Sequence, residues 1–119
     1  MQSDLSAKRS EFETILRRCP SGTLEALLAY LETQDLEALN TFLVGCIHRH
    51  VEEEYEPLLQ QSDIESLSFI DDLGIDSMTM MEIVMMVESC LDIEIDNQDL
   101  MQLATFGDLR RFLADFKPA

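Results

Sequence analysis

The sequence predicts an all-α fold, and three observations carry that prediction. Apolar residues recur at three- and four-residue spacing along most of the chain, and no convincing strand can be read. Four Gly and three Pro among 119 residues are too few for a turn-rich β sandwich or a flexible linker. The 46% hydrophobic content is mostly aliphatic, with seven Met, six Phe, two Tyr and no Trp, a set suited to helix packing. This length favours one domain, or one domain with an appendage.

Each helix can be justified in order. The first spans about 3–18, with Phe12, Ile15, Leu16 and Cys19 at helical spacing. Ser10 and Glu13 offer a capping-box start within it, and Cys19-Pro20-Ser21-Gly22 breaks it. The second, about 21–32, carries an i, i+3, i+4, i+7 stripe of Leu24, Leu27, Leu28 and Leu31. A third starts at the N-cap candidate Asp35, lines up Leu36, Leu39, Leu43, Ile47 and Val51, and is expected to end before Pro57. A loop over 60–76 has neither period, yet holds Phe69, Ile70, Leu73 and Ile75 as apolar anchors; such loops are more often functional than slack. A fourth helix starts at Asp76 or Ser77 and runs to about Leu91; a short one follows over 96–103, and a last one over 105–116 buries Phe106, Leu109, Phe112 and Leu113.

Charge narrows the function. The net charge is −16, and residues 51–108 hold sixteen Asp or Glu with no Lys or Arg. Such a surface repels nucleic acid and anionic lipid and attracts basic protein patches in a salt-dependent way. No apolar run approaches the roughly 20 residues of a membrane span, and the first nine residues have no signal-peptide core, so a cytoplasmic protein is expected. Cys19, Cys46 and Cys90, odd in number and widely spaced, read as reduced thiols.

Two features could carry chemistry. The helix at 77–91 is apolar nearly all round. Val84, Val87 and Leu91, with Met80 and Ile83, form one face, and Met78, Met81 and Met85 form a second stripe flanked by Glu82 and Glu88. The second stripe is either covered by the N-terminal segments or is an adaptable partner surface, and pattern alone leaves both open. Ser77, at the start of this helix, is placed to cap it; the same position also favours a phosphate ester, because helix dipole and backbone amides stabilise negative charge. Gly74 allows a sharp turn into the helix.

The run Phe69-Ile-Asp-Asp-Leu-Gly-Ile-Asp-Ser-Met-Thr-Met-Met-Glu-Ile-Val-Met, followed by Leu91-Asp-Ile-Glu-Ile and Thr105-Phe-Gly-Asp-Leu, resembles the acyl carrier protein family over about residues 36–116. Several elements match in order at near-gapless spacing. The resemblance implies a four-helix carrier bundle of three main helices and one short helix, with residues 1–35 adding one or two N-terminal helices. It implies that Ser77 receives 4'-phosphopantetheine from coenzyme A through a phosphopantetheinyl transferase, with Asp76 as the neighbouring acid. Acyl groups would ride as thioesters on that arm. Met78, Met81, Glu82, Met85 and Glu88 match the surface that meets basic patches on acyl-transferring, condensing or modifying enzymes, and this tips the Met stripe towards a partner surface. Ile75, Val84, Val87, Ile95 and Leu103 match core and acyl-pocket positions. The protein itself would catalyse nothing.

Met78 stands where the family usually has Leu, a volume-conserving exchange. Thr79 and Ser89 stand where acids are common, which points to an accessory carrier for a specialised fatty-acid, lipid or polyketide pathway. Two rivals remain: a carrier-shaped docking module with unmodified Ser77, and a peptidyl or aminoacyl carrier, against which Asp76 and the dense acids weigh. Asp92, Glu94 and Asp96 resemble a calcium loop but lack its Gly, with Asn97 there instead, and its closing Glu, with Leu103 there. Cys46, His48 and His50 could offer metal ligands, with positions 46 and 50 on one helical face, but no second cluster accompanies them; Cys46 and His48, two apart on a helix, point away from each other, so neither a metal site nor a catalytic dyad is expected.

Sixteen acids without a compensating cation over 51–108 should repel one another. The melting temperature is expected to rise with added sodium chloride in a thermal scan, and a salt-independent melt would count against this reading.

Overall fold

The computed structural model describes residues 2–60 and 63–115, with side chains from residue 8 onward. The described residues form α1 (Gln2–Ile15), α2 (Thr23–Thr33), α3 (Leu36–His50), two 3₁₀ segments (Glu53–Gln60 and Ile64–Ser66), α4 (Ser77–Leu91), α5 (Asn97–Met101) and α6 (Phe106–Asp115). A single antiparallel bridge, Ser68 to Thr105, is the one β feature among them. The all-α expectation holds. No helix among the described residues is long and apolar enough to cross a membrane. Contacts divide the chain into two compact units, Met1–Arg49 and His50–Ala119.

In the first unit, α1 stops at Ile15 rather than near Arg18. Its last turn tightens, with the Arg17 amide reaching Thr14 O and the Cys19 amide reaching Leu16 O, because the residue before Pro20 is driven out of helical geometry. Ser10 lies inside the helix, its carbonyl accepting from the Thr14 hydroxyl at 3.1 Å, so the expected capping box is not the start. Gly22, at φ +95°, precedes α2, and the Thr23 hydroxyl donates to Pro20 O at 2.8 Å.

The buried face of α2 is Thr23, Ala26, Leu27 and Tyr30, whereas Leu24, Leu28 and Leu31 are half-buried. The expected leucine stripe is therefore rotated by about one position. The reason is steric: α3 presents Gly45 to Thr23, and a Cβ on Gly45 would overlap the Thr23 side chain, so the two backbones meet where side chains are small. Asp35 caps α3, accepting from the Glu37 amide at 3.2 Å. Leu39, Phe42, Leu43, Cys46 and Ile47 are fully buried, but Leu36, expected on that face, is 54% exposed. α3 ends at His50, seven residues short of Pro57. Glu52, Glu53, Glu54 and Glu56 follow, and a run of acids opposes the negative end of a helix dipole.

In the second unit, α6 is closed at its start by a reciprocal box. The Asp108 carboxylate accepts from the Ala104 and Thr105 amides, each at 3.1 Å, and the Asp108 amide donates to the Thr105 hydroxyl oxygen at 3.1 Å. Phe106, Leu109 and Leu113 are buried, Phe112 only partly, and Phe116 lies outside the described residues. Partial burial opposes ionisation of Asp108. The bonds from the Thr105 and Ala104 amides and the Thr105 side chain, with the Arg111 charge, outweigh it and hold the carboxyl below the usual aspartate range.

A depressed carboxyl contributes stability that is present above its unfolded-state value and is lost as pH falls through the folded value. Asp108→Asn should therefore lower the melting temperature at neutral pH, and the gap to the parent should close in acid. A gap that persists unchanged below the aspartate range would contradict this account.

Candidate functional site

The loop before α4 is built by its own hydrogen bonds. The Phe69 amide donates to Ala104 O at 3.0 Å and the Phe106 amide to Leu67 O at 2.9 Å, tying both ends of the bridge. Ser68 then organises the turn: its carbonyl accepts from the Asp72 and Leu73 amides at 3.1 Å, its hydroxyl oxygen from the Asp71 amide at 3.1 Å, and its own amide donates to the Asp72 carboxylate at 2.7 Å. The Ile75 amide closes the loop on Phe69 O at 2.9 Å. Leu67, Phe69, Leu73 and Ile75 are buried beneath it, but Ile70, expected as a fourth anchor, is 62% exposed. The loop is short of backbone freedom.

Gly74 makes the exit possible. It sits at φ +65°, and a Cβ there would come within 3.0 Å of the Tyr55 ring, so both the left-handed conformation and the contact exclude a side chain. Tyr55 went unnoticed in the sequence because it lies in an acidic 3₁₀ segment with no apolar period.

Asp76 follows in extended backbone (φ −82°, ψ 173°) and caps α4, its Oδ1 accepting from the Thr79 amide at 2.8 Å. Bonds from the Thr79 amide and side chain, with a further one from the Met78 amide, lower the Asp76 pKa against a small desolvation effect. Asp76, rather than Ser77, is thus the cap, and Thr79, expected only as a missing acid, serves it. Ser77 is the first residue of α4 and is exposed. Relieved of capping, its hydroxyl stands in solvent at the positive end of a 15-residue helix. A phosphodiester on that hydroxyl would meet favourable potential and no steric barrier from its own helix, so the residues present fit a phosphopantetheine arm.

The two faces of α4 separate as the spacing predicts. Met80, Ile83, Val84, Met86, Val87, Cys90 and Leu91 are buried, while Met78, Met81 and Met85 are exposed by 80%, 44% and 59%. Glu82 is exposed beside that stripe. Glu88 is half-buried and has an internal duty, its Oε2 accepting from the Ile95 amide at 2.7 Å and so holding the extended segment after α4. Ile75, Val84, Val87, Ile95 and Leu103 are all buried. Asp96 caps α5 through the Asp99 amide at 2.9 Å.

Comparison with known proteins agrees with this geometry. A family model described as the phosphopantetheine attachment site matches residues 57–113, which contain the loop, Ser77 and α4 to most of α6. The chain is 37% identical over 59 residues to an acyl carrier protein of Desulforapulum autotrophicum, covering 46% of this chain and 77% of that one. It is 48% identical over 46 residues to an acyl carrier protein of an Exiguobacterium species (39% of this chain, 58% of that one). It is 39% identical over 49 residues to an acyl carrier protein of Wolinella succinogenes (41% and 64%), so it spans less than two thirds of these last two relatives. No solved structure matches. The chain belongs to the acyl carrier protein family, whose covalently attached prosthetic group is 4'-phosphopantetheine.

Proposed function

We propose that Ser77 is the attachment point and that the protein is an accessory carrier of acyl groups for a specialised fatty-acid, lipid or polyketide pathway. The observation that carries the reading is the division of labour at α4: Asp76 caps the helix and leaves the adjacent Ser77 hydroxyl exposed. The bound group supplies a flexible arm whose thiol holds acyl chains as thioesters. The carrier region is taken as residues 36–116, with residues 1–35 as an extension.

In this reading the chain's own residues present and recognise. The rigid loop and Gly74 orient the start of α4 towards a phosphopantetheinyl transferase. Met78, Met81 and Met85 supply adaptable apolar contact, and Glu82, with the outer oxygen of Glu88, supplies charge towards basic patches on acyl-handling enzymes. Ile75, Val84, Val87, Ile95 and Leu103 line the interior towards which a bound chain would turn.

Intact mass after incubation with a broad-specificity transferase and coenzyme A should rise by one phosphopantetheine group, and Ser77→Ala should show no gain. A gain that survives in Ser77→Ala would overturn the assignment, and no gain in the folded parent would favour a docking module. Gly74→Ala should lower the unfolding free energy measured in urea by about 1 kcal/mol or more for the left-handed backbone alone. It should also slow modification, since the start of α4 would shift; an unchanged rate would show that the transferase does not need this turn. Replacement of a main fatty-acid carrier by this protein with undiminished flux would refute the accessory role.

A further inference from the structure

The arginines of the first unit are gathered. A cavity of about 400 Å³ is lined by Thr14, Ile15, Arg17, Arg18 and Arg49. Three of the five cationic side chains in residues 1–50 face it, and no Asp or Glu is among the described residues that line it. Arg17 and Arg18 come from the tightened turn after α1, and Arg49 from the last turn of α3. The concavity is open to solvent, with Arg17, Arg18 and Arg49 all exposed. Three guanidinium groups around one concavity repel one another, and a multiply charged anion between them would convert that repulsion into paired hydrogen bonds. In a chain of net charge −16 carboxylates are abundant, yet none of the described ones fills this place.

We propose that this cavity binds the phosphate group of a small organic phosphate, with Arg17, Arg18 and Arg49 as the anion's donors and Ile15 as apolar contact for its organic part. The site is distinct from the Ser77 attachment point and does not depend on its modification. A neighbouring thiol reports on it. Cys19 is half-buried, and its pKa is lowered by a hydrogen bond with Cys46 and, against burial, by the Arg49 charge. An anion that neutralises Arg49 would make this thiol less acidic.

The test is calorimetric titration of the full-length protein with inorganic pyrophosphate at ionic strength held constant by sodium chloride. Saturable one-to-one binding is expected, weakened about tenfold or more in the exposed triple variant Arg17→Gln/Arg18→Gln/Arg49→Gln. Pyrophosphate should also slow alkylation of Cys19 by iodoacetamide in the parent and not in Arg49→Gln; Cys46 and Cys90 are buried and should react little. Absence of binding, or equal binding by parent and triple variant, overturns the proposal. Binding to poly-glutamate without binding to pyrophosphate overturns it as well and makes the patch a docking surface for acidic protein.

Discussion

Two backbone hydrogen bonds, Phe69 to Ala104 and Phe106 to Leu67, hold the loop before α4 in place. They join segments some 36 residues apart and leave Ser68 fixed between them, so one residue can organise the turn that ends at Gly74. Downstream geometry follows by steps. The turn fixes where Gly74 reverses the chain over Tyr55, Gly74 fixes where Asp76 meets the α4 amides, and Asp76 decides that Ser77 is free of structural duty. At the other end, the Thr105–Asp108 box and the ion pair of Arg110 with Glu65 secure α6 to the same strip of chain. Gly107 permits that approach, since a Cβ there would press on Glu65 O at 2.9 Å.

Much of this could be read from residue pattern. The two faces of α4 were legible because 3.6-residue periodicity separates Val84 and Val87 from Met81 and Met85 whatever the surroundings. The start of α4 was legible because Gly, Asp and Ser stand together before an apolar run. Long-range pairing was not. Nothing local says that Leu67–Phe69 pairs with Ala104–Phe106, and so the loop's order, and the exposure of Ile70 within it, were hidden. In α2 the leucine count misled: packing is decided by how closely Gly45 lets Thr23 approach, and the helix turns Ala26 and Tyr30 inward at the expense of Leu24 and Leu31. Glu88 was legible as an acid on the correct helix, but its bond to the Ile95 amide depends on where the chain goes after Asp92 turns into left-handed geometry.

Charge is arranged as deliberately as packing. The acids of the second unit are divided between those spent on the backbone and those left to the surface. Asp72, Asp76, Glu88, Asp96 and Asp108 each accept from a main-chain amide, so five of the sixteen acids in 51–108 do structural service. The remainder set a field that basic partners would sense at a distance, while the arginines of the first unit keep a local positive potential.

The seat of Tyr55 against Gly74 has an optical consequence. The chain has no Trp and two Tyr, and these fall one to each unit: Tyr30, buried on α2, and Tyr55, beneath the turn that leads to Ser77. Each unit therefore owns a single tyrosine emitter. With either ring replaced by Phe, tyrosine emission becomes a private record of the other unit, and the loosening of the turn before Ser77 can be followed without attaching any dye.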